Sequence, residues 1–160
     1  MTNHMSSPAS SSLSPKALDL LAALRTWTAD LDQTSVAVQE DQSAAYGGLL
    51  FKVQPALPGR MPLTVGLGSS DDVDFFWGDG YRREGWMATE REVLEVCEAI
   101  KGGDVVEKTW TLGPIVIERR CSLGPNGQHG SDGSPPMPTW LKQWARLSTR
   151  TFAPWVSEAA

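Results

Sequence analysis

Histidine is nearly absent from this chain: two occur in 160 residues, His4 in a serine-rich amino terminus and His129 in a glycine-rich stretch. A triad-type hydrolase needs a base held rigidly beside its nucleophile, and neither placement suits that chemistry. Cysteine is equally scarce, and Cys97 and Cys121 belong to no CxxC or Cys/His spacing. They read as small apolar side chains of a helix and a strand, expected as buried thiols rather than as a disulfide. No apolar run approaches the roughly 20 residues that a membrane helix needs. Residues 1–14 carry no early positive charge, so no secretory signal is expected, and a cytoplasmic location is. Phosphate loop, dinucleotide fingerprint, HExxH and nucleophile elbow are all missing, and no cofactor is expected.

What is present fits one ordinary globular domain, with 41% hydrophobic residues and a formal net charge of −5. Ser14-Pro15 reads as an N-cap followed by proline at the first helical position, and Leu18, Leu21, Leu24, Trp27 and Leu31 recur at helical spacing. The spacing predicts a helix over 15–32. Alternation through Val36 and Val38, then Leu49, Phe51 and Val53, predicts two strands joined around 43–48, and Leu63, Val65 and Leu67 mark a third. Asp72 to Trp77, the turn Gly78-Asp79-Gly80 and the return Tyr81 to Trp86 read as a hairpin. A Thr89-x-x-Glu92 capping box opens a second helix that ends at Gly102-Gly103.

Two more strands are expected over 104–112 and 115–123. If Leu112 faces Ile115, Trp110 opposes Ile117, but Lys108 then lies opposite Arg119 on the apolar face, where like charges repel. An exposed end to that face is the favoured resolution and a β-bulge its rival. The expected fold class is α+β: an antiparallel sheet of about five to seven strands with two amphipathic helices packed on one face, plus a short C-terminal helix. Along the chain this makes a disordered arm over 1–14, the domain over 15–123, a Gly/Pro-rich connector over 124–138 and an amphipathic segment over 139–160. That last segment carries Trp140, Leu141, Trp144 and Leu147 on one helical face and is expected to dock on its own sheet or on another molecule. Of the seven tryptophans, those at 27, 77, 110, 140 and 144 fall on apolar faces and are expected mostly in the core; Trp86 and Trp155 are less easily buried.

Function is sought in the hairpin. Period-two alternation sends Val73, Phe75 and Trp77 one way and Asp72, Asp74 and Phe76 the other. Asp72, Asp74, Phe76, Asp79 and the returning Arg82 and Arg83 form a candidate partner-binding face. Residues 71–98 hold nine acidic and three basic side chains, a local balance of −6. Such a patch repels phosphate backbones and steers basic partners, so a protein partner is expected, and neither nucleic acid nor membrane. The plainest account of this face is a solvated edge that deters aggregation; among functional accounts, recognition ranks above metal binding or catalysis. The aspartate spacing does not match an EF-hand, and no metal is expected. The functional expectation is a non-enzymatic, bacterial-type protein-recognition module, of a kind suited to an immunity-type inhibitor. The alternatives are a ligand- or lipid-binding domain with an apolar pocket lined by Phe51, Phe75 and Trp110, and third, a metal-dependent hydrolase.

Overall fold

The computed structural model describes residues 13–43, 47–124, 129–132 and 138–155. Most of the expected amino-terminal arm, parts of the connector and the last five residues lie outside the described residues. Helix α1 spans Pro15–Ala29, and the Ser14 hydroxyl accepts from the Ala17 amide at 3.1 Å, as the Ser-Pro pair predicts. Its buried face is Ala17, Leu20, Leu21 and Leu24, while Leu18 faces solvent. Five strands follow, interrupted by no helix: β1 (Val36–Ser43), β2 (Gly48–Pro55), β3 (Leu63–Leu67), β4 (Val73–Trp77) and β5 (Tyr81–Trp86). Short connections leave each strand antiparallel to the one before it, in the spatial order β1-β2-β3-β4-β5.

One face of this sheet is apolar, with Phe51, Val53, Leu63, Val65, Leu67, Val73, Phe75 and Trp77 buried. These residues share a single core with α1 and with helix α2 (Glu90–Lys101), which contributes Val93, Val96, Cys97 and Ile100. The capping box is complete: Thr89 Oγ1 accepts from the Glu92 amide at 3.3 Å and the Thr89 amide donates to Glu92 Oε2 at 2.7 Å. Trp27 ties the helices together by donating its indole N–H to Glu98 Oε1 at 2.6 Å.

The remaining strands form a second antiparallel sheet in the order β8-β7-β6-β9. Strands β6 (Val105–Leu112) and β7 (Ile115–Leu123) are the expected pair; β8 (His129–Asp132) lies within the expected connector, and β9 (Arg146–Thr151) within the C-terminal segment. Between them α3 (Thr139–Lys142) is a single turn of helix. The α+β class and the helix-covered antiparallel sheet are therefore as the patterning implies, and the C-terminal segment docks on its own sheet through β9.

Only the Val105/Leu123 end of the second sheet enters the core, through Val105, Cys121 and Leu123. Two hydrogen bonds fix it to the hairpin: Trp77 Nε1 donates to Cys121 Sγ at 3.3 Å, and Tyr81 Oη donates to Glu107 Oε2 at 2.8 Å. Leu112 does face Ile115, but the register shifts between Trp110 and Thr111, so a bulge replaces the expected Lys108/Arg119 pairing, while the end of the sheet is exposed as well, Ile115 being 63% and Val116 45% exposed. Trp110 opposes Glu118, Arg119 moves to the opposite face beside Thr109, and Lys108 now faces Arg120. Arg120 turns its guanidinium to Glu118 at 2.5 Å, which offsets the remaining like-charge pair.

The chain after β9 is strapped across the molecule. Ala153 N donates to Gly59 O at 3.2 Å, Arg60 Nε to Pro154 O at 2.6 Å and Trp155 N to Lys101 O at 2.8 Å. Trp155, expected among the less easily buried aromatics, is 1% exposed and donates its indole N–H to Met61 O at 2.9 Å. Gly103, at φ +76°, makes room for the strap: a Cβ there would lie 2.7 Å from Phe152 O and 2.8 Å from Pro154 N. Trp140 and Trp144, expected in the core, are instead 67% and 72% exposed. Helix α3 ends at Lys142, so the helical face that would have carried both does not form.

Candidate functional site

The hairpin residues divide between two faces and two jobs. Val73, Phe75 and Trp77 are buried, and Asp74 and Phe76 project to the other side, as the alternation requires. The β3–β4–β5 register then aligns Thr64, Phe76 and Arg82 in one row, and β1–β2–β3 pairing extends it through Lys52 to Gln39. All five strands thus contribute one side chain to a row across the outer face. Arg83 is not part of it: it pairs with Phe75 in register and lies over the Trp86 ring, with Cζ 4.4 Å from the centroid.

Asp74 has a structural duty. Its Oδ1 accepts from the Gly85 amide at 2.7 Å, at the point where the β4–β5 register shifts. Gly85 adopts φ +63°, and Asp72 lies on its other side, with Oδ2 3.6 Å from where a Cβ would stand. The bulge adds a residue to β5 at Glu84–Gly85, beyond Arg83; Arg82 and Arg83, neighbours in the regular part of the strand, point to opposite faces by alternation alone. Asp79 is exposed in the Gly78–Gly80 turn, apart from the Asp72/Asp74 pair, and Arg82 pairs with Glu84 at 3.4 Å.

Around Phe76 the outer face mixes charge with half-buried apolar groups. The Lys52 ammonium meets Asp41 at 2.6 Å, and Leu50 stands opposite Asp41 in register. Neither Leu50 nor Phe76 belongs to the apolar core, although both are half-buried. The acidic helix offers less than its composition implies. Glu92 is used by the capping box, Glu98 by Trp27 and Lys101, and Glu95 by Arg91 at 3.5 Å.

Residues that would carry chemistry are not gathered at this face. Among the described residues no three of His, Cys, Asp and Glu converge as metal ligands. Both cysteines are free and buried; burial pushes the Cys97 thiol far up and the Cys121 thiol up to about 11. Burial and the Glu107 hydrogen bond likewise push the Tyr81 phenol up. Phe51 and Phe75 are locked in the core at 0% and 1% exposure, while Trp110 lies on the second sheet between Lys142 and Arg120, at 4.9 and 5.8 Å from its centroid.

A second constellation went unnoticed in the sequence. Glu118 is only 1% exposed, with Arg120 at 2.5 Å and Lys142 at 3.4 Å from its carboxyl group. With Trp110 opposite it in register, these side chains make a cation-lined aromatic patch on one face of the second sheet. The signal available was the cation excess between 105 and 155, six basic against three acidic residues. Among the described residues no helix is long and apolar enough to cross a membrane. Set against protein-family models, curated proteins and solved structures, the chain matches none of them.

Proposed function

We propose that the protein is a non-enzymatic recognition module that binds another protein through the outer face of its five-stranded sheet. The observation that carries this is Phe76: an aromatic side chain outside the core, in a row with Lys52, Thr64 and Arg82 and beside Asp74. A half-buried aromatic ringed by charged and hydrogen-bonding groups has the anatomy of an interface hot spot, since the ring supplies area and the polar rim supplies selectivity. Both helices contribute to the core on the opposite side of the sheet, so binding here requires no change in the core. In the hairpin itself, residues 71–86, five acidic side chains stand against Arg82 and Arg83, which favours a basic partner, and neutralising such a partner, in the manner of an immunity-type inhibitor, is the role we assign to this face.

The test is affinity capture from the source cell with the wild-type protein and with Phe76→Ala and Arg82→Glu. Both variants leave the Asp74–Gly85 bond in place. A partner retained by wild type should dissociate at least about tenfold faster from Phe76→Ala, given the energies typical of hot spots. Recovery of the same proteins in the same amounts with both variants would sink the proposal.

A further inference from the structure

Strand β9 is the edge of the second sheet, and all six of its residues, Arg146 to Thr151, are exposed. Among the described residues its inner edge pairs with β6 and no strand pairs with its outer edge. A free edge presents unpaired backbone donors and acceptors that another chain can complete. Proteins usually blunt such edges with proline, a bulge, a very short strand or charged side chains; β9 has no proline or bulge, and its charges are two arginines, which repel basic strands but not acidic ones.

The side chains around this edge specify what it would accept. Alternation puts Arg146, Ser148 and Arg150 on one face of β9 and Leu147, Thr149 and Thr151 on the other. Arg150 lies over the Phe152 ring, with Cζ 4.6 Å from the centroid, which leaves the in-plane N–H groups of its guanidinium available to a carboxylate. On the Leu147 side, Trp110 faces Leu147 in register, and the exposed Trp140 and Trp144 precede the strand. Leu147 itself is 49% exposed, and Ile115 and Val116 at the tip of the same sheet are 63% and 45% exposed. One face therefore presents cations at every fourth residue, with Ser148 between them and Glu107 opposite Arg150, and the other presents Leu147 and two threonines beside Trp110.

We infer that β9 is a docking edge for an acidic, extended polypeptide segment, which adds to the second sheet as a fifth strand. Carboxylates four positions apart on the added strand meet Arg146 and Arg150, about 13 Å apart along an extended strand, and the apolar side chains of its other face lie toward Leu147 and the exposed tryptophans. Backbone hydrogen bonds supply affinity without sequence preference, and the two faces supply the choice. A second copy of this chain is a poorer occupant, because self-pairing along β9 would line four arginines along one seam. Single-stranded nucleic acid would match the cations and the indoles but would leave the β9 backbone uncompleted. This surface lies on the other sheet from the Phe76 row, and either can fail without the other.

The probe is a fluorescein-labelled octapeptide alternating glutamate with valine, followed by anisotropy against the full-length protein. Saturable binding is expected, weakened at least about tenfold by the Arg146→Glu/Arg150→Glu double variant and by raising salt from about 0.05 M to about 0.5 M. Trp144→Ala should also weaken it. The same peptide with N-methyl groups at every second residue, placed in either register, should bind in one register only, because just one edge of the added strand pairs with β9. The substituted side chains are exposed, and an unchanged far-UV circular dichroism spectrum verifies that each variant is folded. Three results overturn the inference: equal binding by a lysine-valine octapeptide, tighter binding of octathymidylate or phosphatidylglycerol vesicles than of the acidic peptide, or a dimer that the double variant abolishes.

Discussion

Replacing Gly103 by alanine should loosen the C-terminal strap and cost far more than the same change one residue earlier. At φ +76° an alanine loses about 1–2 kcal/mol to left-handed strain alone. Its Cβ would also stand 2.7 Å from Phe152 O and 2.8 Å from Pro154 N, backbone atoms with no rotamer by which to escape. The strap must shift, and Trp155 shifts with it. Complete loss of a buried aromatic costs about 3–5 kcal/mol, so a partial withdrawal that also strains the bond to Met61 O adds about 2–3 kcal/mol. The total, about 3–5 kcal/mol, is a large share of the roughly 5–15 kcal/mol by which domains are stable. For a chain of this size it corresponds to a fall in Tm of roughly 6–20 °C. Gly102 is the control: at φ −74° it is already helical, and a Cβ there meets Glu98 O at 3.3 Å, Asp104 Oδ2 at 3.6 Å and Ala99 O at 3.9 Å, none of them under 3.0 Å. Urea unfolding followed by circular dichroism reads both variants. If Gly103→Ala and Gly102→Ala unfold at the same denaturant concentration, the close approach of the strap to this turn is not what the structure describes.

Other outcomes follow from the same contacts. Glu118→Ala removes the acceptor shared by Arg120 and Lys142 and, because both cations are partly exposed and can be hydrated, should destabilise by only about 1–3 kcal/mol, whereas Glu118→Gln keeps an acceptor and should cost less; chemical denaturation separates them. Neither cysteine should react with a thiol reagent at pH 8 in the native protein, because burial raises both thiols, and both should react once urea unfolds the chain. Glu40, held down by Arg25, and Glu92, held down by the Thr89 amide, both titrate below their ordinary 4.5 when folded. Their contribution to stability is therefore full above about pH 4.5 and lost as pH falls through the lowered values. Denaturation midpoints measured from pH 6 to pH 3 should decline, and less steeply in Glu92→Gln.

How much of this was legible in the chain depended on what each element buries. Helix α1 announced itself through Ser14-Pro15 and its leucines, and α2 through Thr89 and Glu92, because a cap is a local contact between neighbours in sequence. Strands β2 to β4 were equally plain, since burying one face forces period-two alternation. Strand β9 was invisible for the converse reason: Arg146 to Thr151 bury nothing, and what makes them a strand is backbone pairing with β6. The bulge opposite Trp110 was foreshadowed only as a charge conflict, because repulsion shows that a register is uncomfortable but not how it gives way. Trp155 was missed because its pocket is assembled from residues distant in sequence, its N–H reaching Met61 and its amide Lys101. Of the candidate face, alternation correctly put Asp74 and Phe76 together. It could not foresee that Asp74 pins Gly85 in a bulge, but it did already require that Arg82 and Arg83, as strand neighbours, face opposite sides.

The second sheet is rooted in the core only at the Val105/Leu123 end, and that asymmetry sets a gradient of local stability along β6 and β7. Opening the root breaks into the core, whereas opening the tip uncovers little further apolar surface, so amides near Val105 and Leu123 should be the last of these strands to exchange with solvent and those near Leu112 and Ile115 the first. Hydrogen exchange read residue by residue along β6 and β7 would then show one pair of strands divided between the stability of the domain and that of its own margin.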